Sequence, residues 1–316
     1  MNEIEKGILK AIVYFNLFSY PLKEEEVLYH LPKIKGLENI DDIKPVEREV
    51  KKGLRNLVLK KIIENKKGFY FLKGREELVR ERERREKISK KNWQKLKKIL
   101  KIINLIPFLK GVFVSGSLAL SNSNENSDID LLIVTRDSRI FTVRFFLTLL
   151  LDIIKQRRTA KKTAGKICLN HYVSENFLKI QFPSIYNAYT YLNLRPVINR
   201  SRIFERFRRQ QDWMKDYLLF WRKSFRAPFM IEKKSKLAGF LEKILSGRLG
   251  NWIEKKLKVI QIRRKERNYP YGVKKGRVIL DDNLIELHPD SSEKEIIERY
   301  SKTLDFLFKK NKIKRG

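Results

Sequence analysis

The first 75 residues switch from helical to strand-like spacing of their hydrophobic positions. Apolar residues recur every three or four positions in three segments, which predicts three helices. Two apolar runs around the polar turn 65–68 then predict a hairpin. The predicted elements are helices within 4–15, 23–31 and 46–58 and strands at 60–64 and 69–72.

Three helices followed by a hairpin resemble a winged helix-turn-helix domain. In the DNA-binding members the third helix enters the major groove and the wing contacts the backbone. The candidate nucleic-acid-binding residues are Arg48, Lys51, Lys52 and Arg55 on the third helix and Lys66 and Lys67 in the turn. A protein-binding winged helix, or a solvated charged face, is the alternative interpretation.

The remaining pattern divides into three parts. Residues 76–108 mix both charge signs at helical spacing and predict a solvent-exposed connecting helix with an apolar end. Residues 109–198 have short apolar strands at 111–115, 128–134 and 167–173 and a helix at 140–155. Residues 199–316 predict helices at 204–221, 234–264 and 292–309 and a small hairpin within 273–287. The expected fold class is α+β with a small mixed sheet.

The charge balance is strongly basic. The 316 residues include 71 Lys and Arg against 37 Asp and Glu, a net charge of +34. Such a surplus attracts polyanions, so RNA or DNA is the expected partner, although a compositional bias without a partner would look the same. Cys168 is the single cysteine, which excludes a disulfide framework and a cysteine-based zinc site.

The N-terminus lacks the shape of a signal peptide, and we expect a cytoplasmic protein. The most apolar stretch, residues 140–154, contains Arg144 and Asp152 and is too short to span a bilayer. No membrane association is therefore expected, and the oligomeric state is left open.

One segment carries the pattern of a phosphate and metal site. Gly116-Ser117 follows a predicted strand, and a polar loop then leads to Ser127-Asp128-Ile129-Asp130. Glycine allows a tight turn, and a hydroxyl beside helix N–H groups can hold a phosphate. Strand side chains alternate, so Asp128 and Asp130 are expected on one face, where hard divalent ions find oxygen ligands.

This segment resembles the signature of the polymerase β-like nucleotidyltransferases. The resemblance implies NTP binding at Gly116, Ser117 and Ser127 and Mg²⁺ or Mn²⁺ binding at Asp128 and Asp130. Members usually draw a third carboxylate from the next core strand, and residues 167–173 contain none.

Several residues are candidates for the missing acid. Asn170 is the nearest isostere, and it is expected to share a face with Cys168 and Tyr172. His171 would then face the opposite way. Asp137 and Glu175 are weaker candidates for the third acid.

The longer phrases at 167–172 and 284–289 resemble a poorly characterised group that joins a winged-helix-like N-terminus, a nucleotidyltransferase core and a helical tail. The first hypothesis is a metal-dependent nucleotidyltransferase whose acceptor is unknown and for which RNA or another nucleic acid is favoured. The alternative is a nucleic-acid-binding regulatory protein whose core binds a nucleotide and turns it over weakly or not at all. A defence-associated or antitoxin-like enzyme is a third possibility.

Overall fold

The computed structural model describes residues 1–37, 43–269 and 276–313. Its N-terminal unit contains three helices and a three-stranded antiparallel sheet in the order β1-β3-β2. The predicted helices and hairpin are present, and the first hairpin strand begins at Ile63 rather than at residue 60. The elements are α1 (Glu3–Asn16), β1 (Leu22–Lys23), α2 (Glu24–Tyr29), α3 (Ile43–Leu59), β2 (Ile63–Lys66) and β3 (Phe69–Leu72).

A six-stranded sheet forms the centre of the remaining chain, in the order β7-β4-β5-β6-β9-β8. Among the neighbouring strands described in this sheet, β5 and β6 run parallel and the other pairs are antiparallel. The overall class is α+β, as predicted. The elements are α4 (Glu77–Ile103), β4 (Leu109–Val114), α5 (Gly116–Ala119), β5 (Ile129–Thr135), α6 (Ile140–Ile153), β6 (Ile167–Ser174), α7 (Ile185–Leu192), β7 (Arg195–Asn199), α8 (Ile203–Arg209), α9 (Lys236–Leu245), α10 (Arg248–Asn268), β8 (Arg277–Leu280), β9 (Leu284–His288) and α11 (Glu293–Ile313).

The two faces of this sheet belong to different hydrophobic cores. Ile129, Leu131 and Ile133 of β5 pack into a core with α4 and α6. Leu132 and Val134 point the other way and join the core of the N-terminal unit. Alternation along β5 therefore holds, and the N-terminal unit is packed directly against one face of the sheet.

For two of the C-terminal helices the predicted bounds are wrong. The helix expected over 204–221 ends at Arg209, because the buried Gln211 side chain donates to the carbonyls of Phe207 and Leu178. A short 3₁₀ turn, Asp212–Asp216, follows. The helix expected over 234–264 is two helices, α9 and α10, which meet at Ser246 and Gly247.

The predicted hairpin near the C-terminus is present as β8 and β9, although residues 273–275 lie outside the described part. β9 pairs with β6, so this hairpin extends the central sheet rather than standing apart from it. Within the described ranges no helix combines the length and apolarity that crossing a bilayer requires.

The connecting helix α4 is less solvated than its charges predict. Arg82 is only 4% exposed and forms ion pairs with Glu26 and Glu86, both at 2.8 Å. Arg85 donates to the carbonyl of Phe18 and to Asn122 Oδ1. α4 thus ties the N-terminal unit to the polar loop that separates the two halves of the candidate motif.

Candidate functional site

The turn after β4 brings Gly116 against Asp130. Ser115 is extended, and its N–H donates to the carbonyl of Asp130 at 3.0 Å. Gly116 has φ +64°, and a Cβ there would lie 2.5 Å from Asp130 Oδ2. Position 116 requires glycine for two reasons: its backbone is left-handed, and the Asp130 carboxylate occupies the space that a Cβ would need.

The two serines of the predicted nucleotide site lie in different surroundings. Ser117 Oγ has one weak contact, 3.4 Å to Ser123 Oγ. Ser127 Oγ accepts from the N–H of Asn124 at 2.9 Å and donates to Asn124 Oδ1 at 3.2 Å. The Ser117 hydroxyl is thus the freer of the two, while the Ser127 hydroxyl shapes the polar loop.

Three potential ligand atoms meet at the start of the parallel strands. Asp128 directly precedes β5, Asp130 lies on it, and Cys168 of β6 pairs with Asp130 in the strand register. One atom from each of the three lies within 4.8 Å of the other two. We call Asp128, Asp130 and Cys168 the carboxylate cluster.

The cluster concentrates negative charge in a desolvated place. Burial, and next the Asp128 charge, raise the pKa of Asp130. Burial also raises the pKa of the Cys168 thiol, with both carboxylates adding to the shift. The carboxylates repel each other, and the thiol stays protonated at neutral pH.

Arg158 brings a positive charge to this cluster. Its Nε lies 3.0 Å from Asp128 Oδ2, and its Nη1 donates to Cys168 Sγ at 3.5 Å. Two carboxylates fit a hard divalent ion, whereas a thiol is a softer ligand than Mg²⁺ prefers. The donor set therefore suits a divalent cation held mainly by the aspartates.

A register shift in β6 changes the expected faces. Asp130 pairs with Cys168 but Leu132 pairs with His171, so β6 holds one extra residue between these pairs. The predicted strict alternation is therefore wrong here. Leu169 and Tyr172 pack in the same core. His171 pairs with Leu132, so its side chain lies on the face of the sheet that carries Asp130.

Asn170 lies within this bulge. It lines a cavity beside α6 and α10 together with Leu169. The register thus sets Cys168, not Asn170, opposite Asp130.

Asp137 and Glu175 lie at the other end of the parallel pair. β5 and β6 begin beside the carboxylate cluster, and these two acids follow their last residues. The seven residues of β5 span roughly 20 Å. Glu175 is also paired with Lys110 at 3.1 Å. Both are therefore wrong as candidates for the third acid.

Sequence reasoning missed a second polar group on the same face of the sheet. His171 pairs in register with Glu286 of β9, and the His171 ring lies 6.3 Å from that of His288. Burial lowers the pKa of His171 to about 3, so the ring is neutral at physiological pH. Glu286 is bound to Arg277 at 2.9 Å. The alternation of Glu286 and His288 along β9 was the available signal.

The cations predicted to bind nucleic acid are exposed, but several have acidic partners. Lys51 lies 3.4 Å from Glu24 and 3.3 Å from Glu47. In the hairpin, Lys66 pairs with Glu76 at 3.0 Å and Lys67 with Glu83 at 2.9 Å. Arg48, Lys52 and Arg55 are exposed on α3 as well.

A comparison with known families assigns the segment that contains this geometry. Residues 93–180 match the family model of the nucleotidyltransferase domain. The matched segment includes the last part of α4, the Gly116 turn, the carboxylate cluster and β6. The match covers less than a third of the chain. Searches of curated proteins and of solved structures gave no match.

Proposed function

We propose that the protein is a metal-dependent nucleotidyltransferase that moves a nucleotide from an NTP to an acceptor, with nucleic acid as the favoured acceptor class. One observation carries the proposal: Gly116 approaches Asp130 so closely that a Cβ would lie 2.5 Å from its carboxylate. This contact joins a phosphate-binding type of turn to a cation-binding type of carboxylate pair, inside the segment that matches the family.

In this proposal the turn holds the triphosphate. Ser117 Oγ, which has only the weak contact to Ser123, donates to a phosphate oxygen, and Gly116 leaves room for that oxygen beside the carboxylates. Asp128 and Asp130 hold the divalent ion. When bound, the ion neutralises negative charge on the reacting phosphate and on the leaving pyrophosphate.

The other polar groups of the site have supporting roles. Arg158 bridges Asp128 and Cys168, so it partly neutralises the aspartates and would compete with an ion for Asp128. Asn170 is kept as a polar residue near the site, without the capacity to accept a proton as a base. Ser127 maintains the loop through Asn124 rather than contacting phosphate directly.

The winged-helix interpretation of residues 1–75 belongs to the same proposal. It is supported by the order of three helices and a three-stranded sheet and by the exposed cations of α3. In this arrangement Arg48, Lys52 and Arg55 would contact a nucleic-acid backbone.

One observation favours a second function. Cys168 stands opposite Asp130, where a carboxylate would serve as a third acid, and its thiol is protonated. A core that binds NTP but transfers it poorly would fit a regulatory protein that senses nucleotides and binds nucleic acid.

A transfer assay separates the two functions. The protein is incubated with each NTP labelled at the α-phosphate, with Mg²⁺ or Mn²⁺, and with total cellular RNA and protein. Label that becomes covalently attached to RNA supports the proposed function, and label on protein supports transfer but changes the acceptor class. NTP that binds and is recovered unchanged supports the sensor instead.

A further inference from the structure

A cavity of about 780 Å³ opens on the side of the sheet that faces α6 and α10. Its walls come from α6, the segment after α6, the start of β6, α10 and the hairpin of β8 and β9. This volume is within the range of pockets that bind nucleotide-sized ligands. We call it the cationic cavity.

The charges that line the cavity have one sign. Five lining residues are cations, and no carboxylate is among the lining residues of the described structure. They are Arg144, Arg157, Arg158, Arg264 and Lys265. Burial lowers the pKa of Arg144, and the charges of Arg264 and Arg157 lower it further. These guanidinium groups therefore lie close enough to repel one another, and an anion between them would relieve that repulsion.

Ion pairs within the chain leave part of this charge uncompensated. Arg157 is paired with Asp152 at 2.6 Å, and Arg158 with Asp128 at 3.0 Å. Arg144 donates to the neutral Gln261. Across the residues that the structure describes, no ion pair engages Arg264 or Lys265, and both sit on the last turns of α10.

The cavity also offers apolar surface suited to a base. Phe145 is 40% exposed at its wall, and Tyr269 and Ile260 line it as well. Aromatic rings that stand beside a cationic groove are the usual platform for unstacked bases, because every base has a π-face. A simple inorganic anion would use the cations and leave this surface exposed.

The cavity adjoins the carboxylate cluster. Cys168 belongs to the cluster and also lines the cavity, and Arg158 lines the cavity and is ion-paired with Asp128 of the cluster. A ligand in the cavity would therefore end near the proposed site of transfer. Arg267 adds a further positive charge in the last turn of α10.

We infer that the cationic cavity binds the end of a single-stranded nucleic acid, with phosphates between Arg144, Arg264 and Lys265 and a base against Phe145. The inference rests on the proposed function, because it identifies the acceptor of that transfer. It places the acceptor on the α10 side of the cluster and the NTP at the Gly116 turn.

The test is binding of a fluorescent ten-nucleotide single-stranded RNA, and of the matching DNA, in EDTA and without NTP. Changing Arg264→Glu together with Lys265→Glu should weaken binding about tenfold or more and lower the salt slope by about two. Phe145→Ala should weaken it about fivefold or more through lost stacking. Lys98→Glu with Lys101→Glu on α4 is the matched control, since both lysines are exposed and line a different groove, so the net charge changes equally outside the cationic cavity.

Equal losses in the α10 variant and the α4 control, or no binding by the wild type at low salt, would overturn the inference. Tighter binding of a mononucleotide than of the oligonucleotide would overturn it in favour of a small phosphorylated acceptor. NTP binding in the presence of a divalent ion is measured on the same variants and should be unchanged. If the wild type binds NTP but not the oligonucleotide, the acceptor assignment is wrong and the proposed transferase function still stands. If the wild type does not bind NTP, the proposed function itself is wrong.

Discussion

The carboxylate cluster and the cationic cavity lie side by side with opposite charge. In the first, Asp130 and Asp128 repel each other in a desolvated place, and in the second Arg144, Arg157 and Arg264 do the same. Arg158 belongs to both regions, and its ion pair with Asp128 joins them. A ligand of opposite charge would relieve the repulsion in each region, which suggests a cation at the carboxylate cluster and a polyanion in the cationic cavity. Changes confined to one region should therefore separate two kinds of binding.

The largest effect is expected from the aspartates themselves. Asp128→Asn or Asp130→Asn removes a metal-binding charge while keeping the shape, and transfer should fall on the order of 10³-fold. Asp137→Asn is the matched control, since this aspartate follows the opposite end of β5. Rates of pyrophosphate release measure the effect. Oligonucleotide binding should persist in the Asn variants, and its parallel loss would mean that the two regions are not separable.

The next largest loss of transfer rate is expected from a substitution in the Gly116 turn. Gly116→Ala forces a Cβ to within 2.5 Å of Asp130 Oδ2, so the carboxylate must move. A displacement of about 1 Å costs about 10²-fold in rate. Gly74→Ala has a similar backbone cost of about 1–2 kcal/mol, because Gly74 has φ +79° with nothing within 4 Å of an added Cβ. If both variants keep full activity, the close approach of Gly116 has no catalytic role.

Adding a third carboxylate is expected to raise turnover, whereas the preceding substitutions lower it. Cys168→Asp puts an acid opposite Asp130, and we expect turnover to rise roughly tenfold, below the 10²–10⁴-fold of a fully aligned general base. Asn170→Asp lies in the bulge and should do less. The added charge should lower the unfolding midpoint of the metal-free Cys168→Asp protein. A gain from Asn170→Asp alone would restore Asn170 as the equivalent of the missing acid.

The smallest effect is expected at the N-terminal unit. Replacing Lys51, Lys52 and Arg55 with Ala should lower the affinity for duplex DNA or tRNA about twofold to fivefold and reduce the salt slope. The effect is modest because Lys51 already has two acidic partners. Titration at two salt concentrations measures it. A loss larger than that of the α10 variant would make α3, and not the cavity, the main nucleic-acid surface.

The order of elements and the Gly116 to Asp130 motif were predictable because they rest on local spacing. The apolar run of β5 and the glycine of the turn are both visible in the sequence and present in the structure. The faces of β6 were not predictable, because one extra residue in the bulge reverses them after Leu169. The cationic cavity joins residues from α6 and α10 that are far apart in sequence, so neither its lining nor its charge balance shows in any one segment.

Metal-dependent NTP binding at Asp128 and Asp130 is tested most directly by calorimetry, with and without Mg²⁺ or Mn²⁺, on the wild type and on the variant that combines Asp128→Ala with Asp130→Ala. We expect the wild type to bind NTP in a divalent-dependent manner and the double variant to lose this dependence while still unfolding in a cooperative transition. An unchanged, metal-dependent affinity in the double variant would contradict the assignment of the site.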